Sequence, residues 1–346
     1  MRAVVYESFG GPVTVEQLPD PVPGPADAVI AVESTGLCRS DWHGWMGHDA
    51  DISTFPHVPG HELAGVVREV GADVRRWRPG DRVTVPFISA CGSCLSCQAG
   101  DQQVCSAQTQ PGFTHWGSYA EAVRIQQADV NLVALPEAMA YDTAAALGCR
   151  FATSFRAVRD IGGARAGEWV AVHGCGGVGL SAVLIAAAAG AQVIAIDLND
   201  EALALATELG ATAVVNGTGV DTAEAVRTLT GGGAHLSLDA LGHPATAASS
   251  INGLRRRGRH VQVGLLPGAA TPLPMGRVIA HELALLGSHG MAAHAYPEMM
   301  ALVSSGKLRP DRLITRQIGL AGAAEALPLM HTSAAAGMTM ISPAAG

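Results

Sequence analysis

The stretch WVAVHGCGGVGLSAVLIAAAAGAQVIAID, Trp169 to Asp197, decides the fold. Trp169 to His173 is apolar with Val at alternate positions, the pattern of a buried strand. Val178 to Ala189 contains no Pro and, after Gly179, no Gly, so it has high helix propensity, and Gln192 to Ile196 reads as a second strand that ends at Asp197. Strand, helix and strand within about thirty residues make one βαβ unit. Between the first strand and the helix, Gly174, Gly176, Gly177 and Gly179 contain the pattern G-x-G-x-x-G. Such glycines let the backbone approach a pyrophosphate, and the helix N-terminus stabilises its negative charge. Asp197 stands eighteen residues past Gly179, placed to accept from ribose hydroxyls and to repel a 2'-phosphate. No Lys or Arg occurs from Ala166 to Val226, so the dinucleotide expected is NAD and not NADP. The same stretch has transmembrane length, but its glycines break the continuous helix that a bilayer requires.

Outward from this unit the rhythm continues. Asn199 is placed as the N-cap of a helix that runs to Leu209 and stops at Gly210. Further strands are expected at Ala213 to Val215, His235 to Leu238, Arg259 to Val263 and Leu283 to Leu286. Six strands with intervening helices predict an α/β, Rossmann-type, doubly wound parallel sheet over residues 151–288. Residues 1–150 carry short β-branched runs such as Ala28 to Val32, Gly65 to Val70 and Arg82 to Pro86, punctuated by Gly and Pro. They read as a smaller mostly-β domain, to which residues 289–346 are expected to return.

Composition bounds the function. The chain has 346 residues, 48% of them hydrophobic, enough to bury two cores. Charged residues are 15%, against about 25% in typical soluble domains. A net charge of -8 argues against nucleic acid or an anionic membrane as partner. Lys307 is the one lysine, which leaves little room for lysine-based covalent chemistry. The apolar run Ala3 to Tyr6 ends at Glu7, too short for a secretory signal, so a cytoplasmic protein is expected.

In a reducing compartment, closely spaced cysteines read as metal ligands. Cys91, Cys94, Cys97 and Cys105 follow in C-x2-C-x2-C-x7-C order, the ligand set of a closed structural Zn²⁺ site. Cys38, Cys149 and Cys175 remain. Cys38 opens Cys-Arg-Ser-Asp-Trp-His, and Gly60-His61-Glu62 follows some twenty residues later.

With these motifs, the Leu147-Gly148-Cys149 segment and the glycine turn, all in one order, the chain resembles a zinc-dependent alcohol dehydrogenase of the medium-chain dehydrogenase/reductase superfamily. The resemblance implies a GroES-like catalytic domain at residues 1–150 and reversible oxidation of an alcohol to an aldehyde or ketone by hydride transfer to NAD. It implies two zinc ions per chain, the catalytic one on Cys38, His61 and Cys149, with Glu62 able to approach it. Two thiolates and an imidazole leave one tetrahedral position open for a substrate oxygen. Asp41 matches the carboxylate that orients the ligand histidine. Ser40 matches the hydroxyl beside the substrate oxygen, and His43 the outer member of a proton relay that passes through the cofactor ribose. Arg39 matches a residue that meets the pyrophosphate. Thr153 and Val178 match neighbours of the nicotinamide, and Val263, Gly264 and Leu265 match backbone contacts to its carboxamide. Gly337 is followed by Met338 where the family commonly has an arginine.

Cys175 reads as a small spacer. His281-Glu282, opening the sixth strand with no cysteine near it, carries no metal role, and Arg255, Arg256, Arg257 and Arg259 read as a solvated helix end. Trp42 and Trp116, and with them Trp45, are candidates for the wall of a substrate cleft, with core packing as the alternative. The apolar sixth strand lies at a sheet edge, which predicts a homodimer or homotetramer. The rival readings are a zinc-free reductase of the same superfamily, which would not need Cys38, His61 and Cys149 together, and a non-catalytic relative, which would keep the fold and could keep the four-cysteine loop.

Overall fold

The computed structural model describes residues 1–266, 268, 270–332 and 336–345. The chain divides into two compact units. One comprises residues 1–152, 290–304 and 314–346, and the other residues 153–289 and 305–313. The return of the chain to the first unit is therefore interrupted at Ser305–Leu313.

In the second unit, six parallel strands lie in the order Ala213–Asn216, Gln192–Asp197, Trp169–His173, Ala234–Asp239, Leu254–Gln262, Ala284–Gly287. Chain order reverses beside Trp169–His173, which opens a crevice at the carboxyl ends of that strand and of Ala234–Asp239. Helix Gly177–Ala188 is apolar on all sides because residues 179–186 are all buried. Asn199 caps helix Asp200–Glu208, accepting from the backbone N–H groups of Glu201 and Ala202.

Three expectations need correcting. The fifth strand starts at Leu254 and ends at Gln262, so Val263 lies just past it. The arginine cluster is not a helix end. Its residues occupy an irregular opening of that strand, where Leu254 to Arg259 spans what Ala234 to Leu236 spans on the neighbour. Arg257 takes a left-handed φ of 61° there. Each arginine finds a partner: Arg255 at His235, Arg256 at the Ala280 carbonyl, Arg257 at Glu282 and Arg259 at Glu168. The sixth strand begins at Ala284, because His281 closes helix Met275–His281 and Glu282 turns at a φ of 47°.

In the first unit a mostly antiparallel sheet is ordered Ile314–Ile318, Met338–Ile341, Ala28–Leu37, Leu63–Val70, Arg82–Thr84, Val133–Ala134, with Ala122–Ile125 also paired to Ala28–Leu37. One core gathers Ile30, Leu63, Val67, Val83 and Ile125. A second gathers Tyr6, Trp45, Tyr119, Leu320 and Leu327. Thr35 pairs with Leu63, so the strand that ends before Cys38 runs beside the strand that begins after Glu62. That register brings two segments more than twenty positions apart in sequence to one place. Among the described residues no helix is long and apolar enough to cross a membrane.

Candidate metal centres and nucleotide site

Asp41 organises the first site. It lies in the helix Arg39–Trp45 that follows Cys38, and it is buried. One carboxylate oxygen accepts from His61 Nδ1 at 2.8 Å and from the Gly60 backbone N–H at 3.0 Å. The other accepts from the Cys38 backbone N–H at 3.1 Å and from the Tyr119 hydroxyl at 2.6 Å. Gly60 reaches this position with a φ of 105°, and a Cβ there would sit 2.6 Å from the Tyr119 backbone nitrogen. Glycine alone satisfies both demands.

With Nδ1 committed to Asp41, His61 turns Nε2 inward. That atom is buried and has no hydrogen-bond partner. A buried orphan nitrogen of this kind is costly unless something coordinates it. Cys149 arrives from the wide helical turn Leu147–Phe151, and the ligand atoms of Cys38, His61, Glu62 and Cys149 all lie within 4.8 Å of one another. The Cys149 thiol beside it, against the effect of burial, holds the Cys38 thiol well below its usual range. Burial would depress His61, but Asp41 and the Cys38 sulfur beside it together outweigh that and, without a metal, hold it well above the ordinary value. The donor set therefore fits a divalent metal: two sulfurs, one oriented imidazole and a carboxylate within reach.

Glu62 is not idle. Arg150 donates to it from Nε, at 3.0 and 2.9 Å to the two oxygens, from Nη2, and from its backbone N–H at 2.9 Å. Sequence reading missed this pair. The adjacency of Cys149 and Arg150 signals a cation at the site, but not which carboxylate it meets. His43 is half-buried, and its Nδ1 lies 3.0 Å from Nδ1 of the exposed His48. Ser40, on the same helix, is half-buried, and Arg39 is exposed with its guanidinium 5.3 Å from the Trp42 ring centre.

The aromatic rings nearest His61 are Phe113 and Phe87, at 5.3 and 6.2 Å between centroids. The three tryptophans are placed by packing. Trp42 stacks on His331 and joins the Leu320–Leu327 core, and Trp45 is buried in that core. Trp116 packs beside Val58 and Ala120 and donates to the Pro56 carbonyl.

The four-cysteine loop forms a second group, with all four sulfurs within 4.8 Å of one another. Sulfur separations of 3.4, 3.7 and 4.0 Å bracket the edge of about 3.8 Å expected for a ZnS₄ tetrahedron with 2.3 Å bonds. Backbone N–H groups of Ser93 and Cys94 point at Cys91 Sγ, an arrangement that favours its thiolate, and those of Cys91 and Ala107 point at Cys105 Sγ. The Ser93 N–H, chief among several donors, brings the Cys91 thiol down to about 7.

In the second unit, Gly179 is required by contact: a Cβ there would lie 1.7 Å from the Gly174 carbonyl oxygen. Gly176 caps helix Gly177–Ala188, leaving the turn's backbone open for a phosphate. Asp197 faces that turn. One oxygen accepts from the Cys175 N–H, and the other from Leu198 and Asn199 at 2.7 and 2.9 Å. Cys175 is buried, and burial pushes its thiol up to about 12. Ser154 donates to the Val178 carbonyl at 2.7 Å, which ties the segment carrying buried Thr153 to the start of the helix. Val263 and Gly264 donate to the Asp239 carbonyl, and Leu265 beyond them is exposed.

Comparison with known proteins adds two family matches. Residues 24–137 match the alcohol dehydrogenase GroES-like domain, and residues 177–305 match the zinc-binding dehydrogenase domain. The chain is 34% identical to an alcohol dehydrogenase of Geobacillus stearothermophilus over 310 residues, covering 89% of this chain and 90% of the other. It is 30% identical to an NAD-dependent alcohol dehydrogenase of Sulfurisphaera tokodaii over 352 residues, 99% and 100% of the two chains. A crystal structure from Sinorhizobium meliloti 1021, bound to NADP, superposes with a TM-score of 0.89 at 32% identity over 99% of each chain.

Proposed function

Because the chain belongs to the zinc-dependent alcohol dehydrogenases of the medium-chain dehydrogenase/reductase superfamily, we propose that its three constellations divide one reaction among them. The protein is an oxidoreductase that interconverts an alcohol and an aldehyde or ketone with zinc and NAD. When bound, zinc supplies a Lewis acid for the substrate oxygen, and NAD supplies the hydride acceptor.

Cys38, His61 and Cys149 hold the catalytic metal, and Asp41 fixes the tautomer of His61 by accepting at Nδ1. The single observation that carries this assignment is the orphan Nε2 of His61. Ser40 accepts a proton from the substrate hydroxyl as it passes its own on, the cofactor ribose would be the next member of the relay when bound, and His43, one helical turn on, is the outer group that releases a proton to solvent. Phe113 and Phe87 dress the metal site with apolar surface. Cys91, Cys94, Cys97 and Cys105 hold a structural zinc with no open position. Gly174, Gly176, Gly177 and Gly179 receive the pyrophosphate, with Arg39 as a cation for it. Thr153, Val178, Val263, Gly264 and Leu265 serve the nicotinamide. Asp197 selects NAD over NADP by its charge.

The unit holding residues 1–150 carries the catalytic metal, and the one holding most of 151–288 carries the cofactor. A reducing compartment, the cytoplasm, suits seven free thiols. Two copies pair through the edge strand Ala284–Gly287, giving a homodimer or a dimer of dimers.

Metal analysis combined with an NADH absorbance assay over aliphatic, aromatic and polyol alcohols tests the reading. Two zinc per chain and NAD-dependent turnover are expected. One zinc per chain with no alcohol oxidation refutes it.

A further inference from the structure

Resting on the assignment of the catalytic metal to Cys38, His61 and Cys149, we propose that Arg150 is a positioning residue that locks Glu62 away from the metal and so keeps its fourth position open. Glu62 is fully buried and lies close enough to the two sulfurs and to His61 Nε2 to complete a four-ligand shell. A shell of four protein ligands is the closed geometry of a structural site, which excludes substrate. What holds Glu62 back from that closure is a pair. Both Glu62 oxygens accept from the Arg150 guanidinium, and one also accepts from the Arg150 backbone N–H. Such forked, charge-assisted bonds are the strong ones.

Charge counting points the same way. Two thiolates balance a divalent ion and His61 is neutral as a ligand, so the buried carboxylates Asp41 and Glu62 both stand in excess. Asp41 is held by four hydrogen-bond donors, and Arg150 offsets the charge of Glu62. A buried carboxylate that loses its cation must find another or take a proton, and the nearest cation is the metal.

The pocket is built for the pair. A Cβ on Gly36 would lie 2.3 Å from a Glu62 oxygen and 2.7 Å from Arg150 Nη2, and Gly36 donates its N–H to the Glu62 carbonyl at 2.8 Å. Gly148 lies against the Glu62 backbone, where a Cβ would approach Glu62 Cα to 3.0 Å. Glycines on both sides thus leave room for the guanidinium and seat the glutamate stem.

The test loads the full-length enzyme with cobalt(II) and titrates it with imidazole, following the visible absorption, to which only a centre with an open position responds. Wild type is expected to bind imidazole. In Arg150→Met, Glu62 takes the fourth position: imidazole affinity falls about tenfold or more, and the metal leaves to a chelator more slowly. Arg150→Met/Glu62→Gln is expected to recover imidazole binding to within about threefold of wild type. Should Arg150→Met not fold, Arg150→Lys and Arg150→Lys/Glu62→Gln make the same comparison, with a smaller loss and the same recovery. Variants that titrate as wild type, or a double variant that stays closed, overturn the lock while leaving the metal assignment intact. A wild-type enzyme that binds cobalt(II) at both sites but is blind to imidazole overturns the lock, whereas one that takes up cobalt(II) at the four-cysteine loop alone overturns the metal assignment, and the lock with it.

Discussion

Asp41 bonds four donors at once and so pins three segments: Cys38 just past the end of a strand, the Gly60–His61 loop with its ligand histidine, and Tyr119. Removing a metal ligand should therefore spare the fold, since this frame persists without the ion. Cys38→Ser is expected to lose turnover while keeping the melting curve of the wild type, and His61→Ala, which also removes a buried bond to Asp41, to lose turnover with a lower Tm but a cooperative fold. Alcohol oxidation retained in zinc-depleted Cys38→Ser would sink the ligand assignment. Titration acts at the same scale. Burial holds His173 down to about 3 and His115 down to about 4, so the folded chain leaves them neutral where the unfolded chain charges them. The stability they contribute is whole above pH ~6.5 and is lost as pH falls toward those folded values, at about 1.4 kcal/mol per pH unit for each histidine. His173→Gln should flatten the decline of stability between pH 6.5 and 4.5 by one proton's worth in urea titrations. An unchanged slope in that variant would show that His173 titrates normally.

Among the elements, the Cys91–Cys105 loop contains only the short helix Leu95–Gln98 and one further turn, too little apolar surface to order it alone. Cys97→Ser is thus expected to lower Tm, at about 2–4 °C per kcal/mol lost, before it touches the chemistry. A variant that keeps both its Tm and two zinc ions would refute a structural metal there. At the end of Gln192–Asp197, the carboxylate is already oriented by three backbone donors. Asp197→Ala is expected to raise KM for NAD about tenfold, the scale of a charged hydrogen bond, with a smaller effect on NADP. Steady-state kinetics with both cofactors decide it, and a wild-type kcat/KM higher with NADP would overturn the charge argument.

For the whole molecule, the open flank of the six-stranded sheet is the decisive surface. Ala284 and Gly287 of the edge strand are exposed, and helix Met275–His281 beside it buries no residue, leaving Ile279 at 76% exposure and Met275 at 50%. An apolar strand edge flanked by an apolar helix face invites a second copy. Light scattering at micromolar concentration is expected to give a mass of two or four chains. A species near 35.3 kDa would remove the edge-pairing argument.

Much of this could be read without coordinates, because the signals are local. The βαβ unit from Trp169 to Asp197 declares itself through residue periodicity and turn glycines, and the Cys91–Cys105 spacing through the short reach of one loop. Each depends on neighbours within a few turns of chain, so sequence distance stands for distance in space. What the tertiary structure decided depends on strand register. The meeting of Glu62 with Arg150 requires 88 positions of chain to close on one pocket. The arginines at 255–257 sit in a strand irregularity that only the neighbour's register defines. Trp42 faces the Leu320–Leu327 core because a helix more than 270 positions later packs there. Long-range packing chooses among partners that local chemistry treats as equivalent, and that choice is what a linear reading cannot contain.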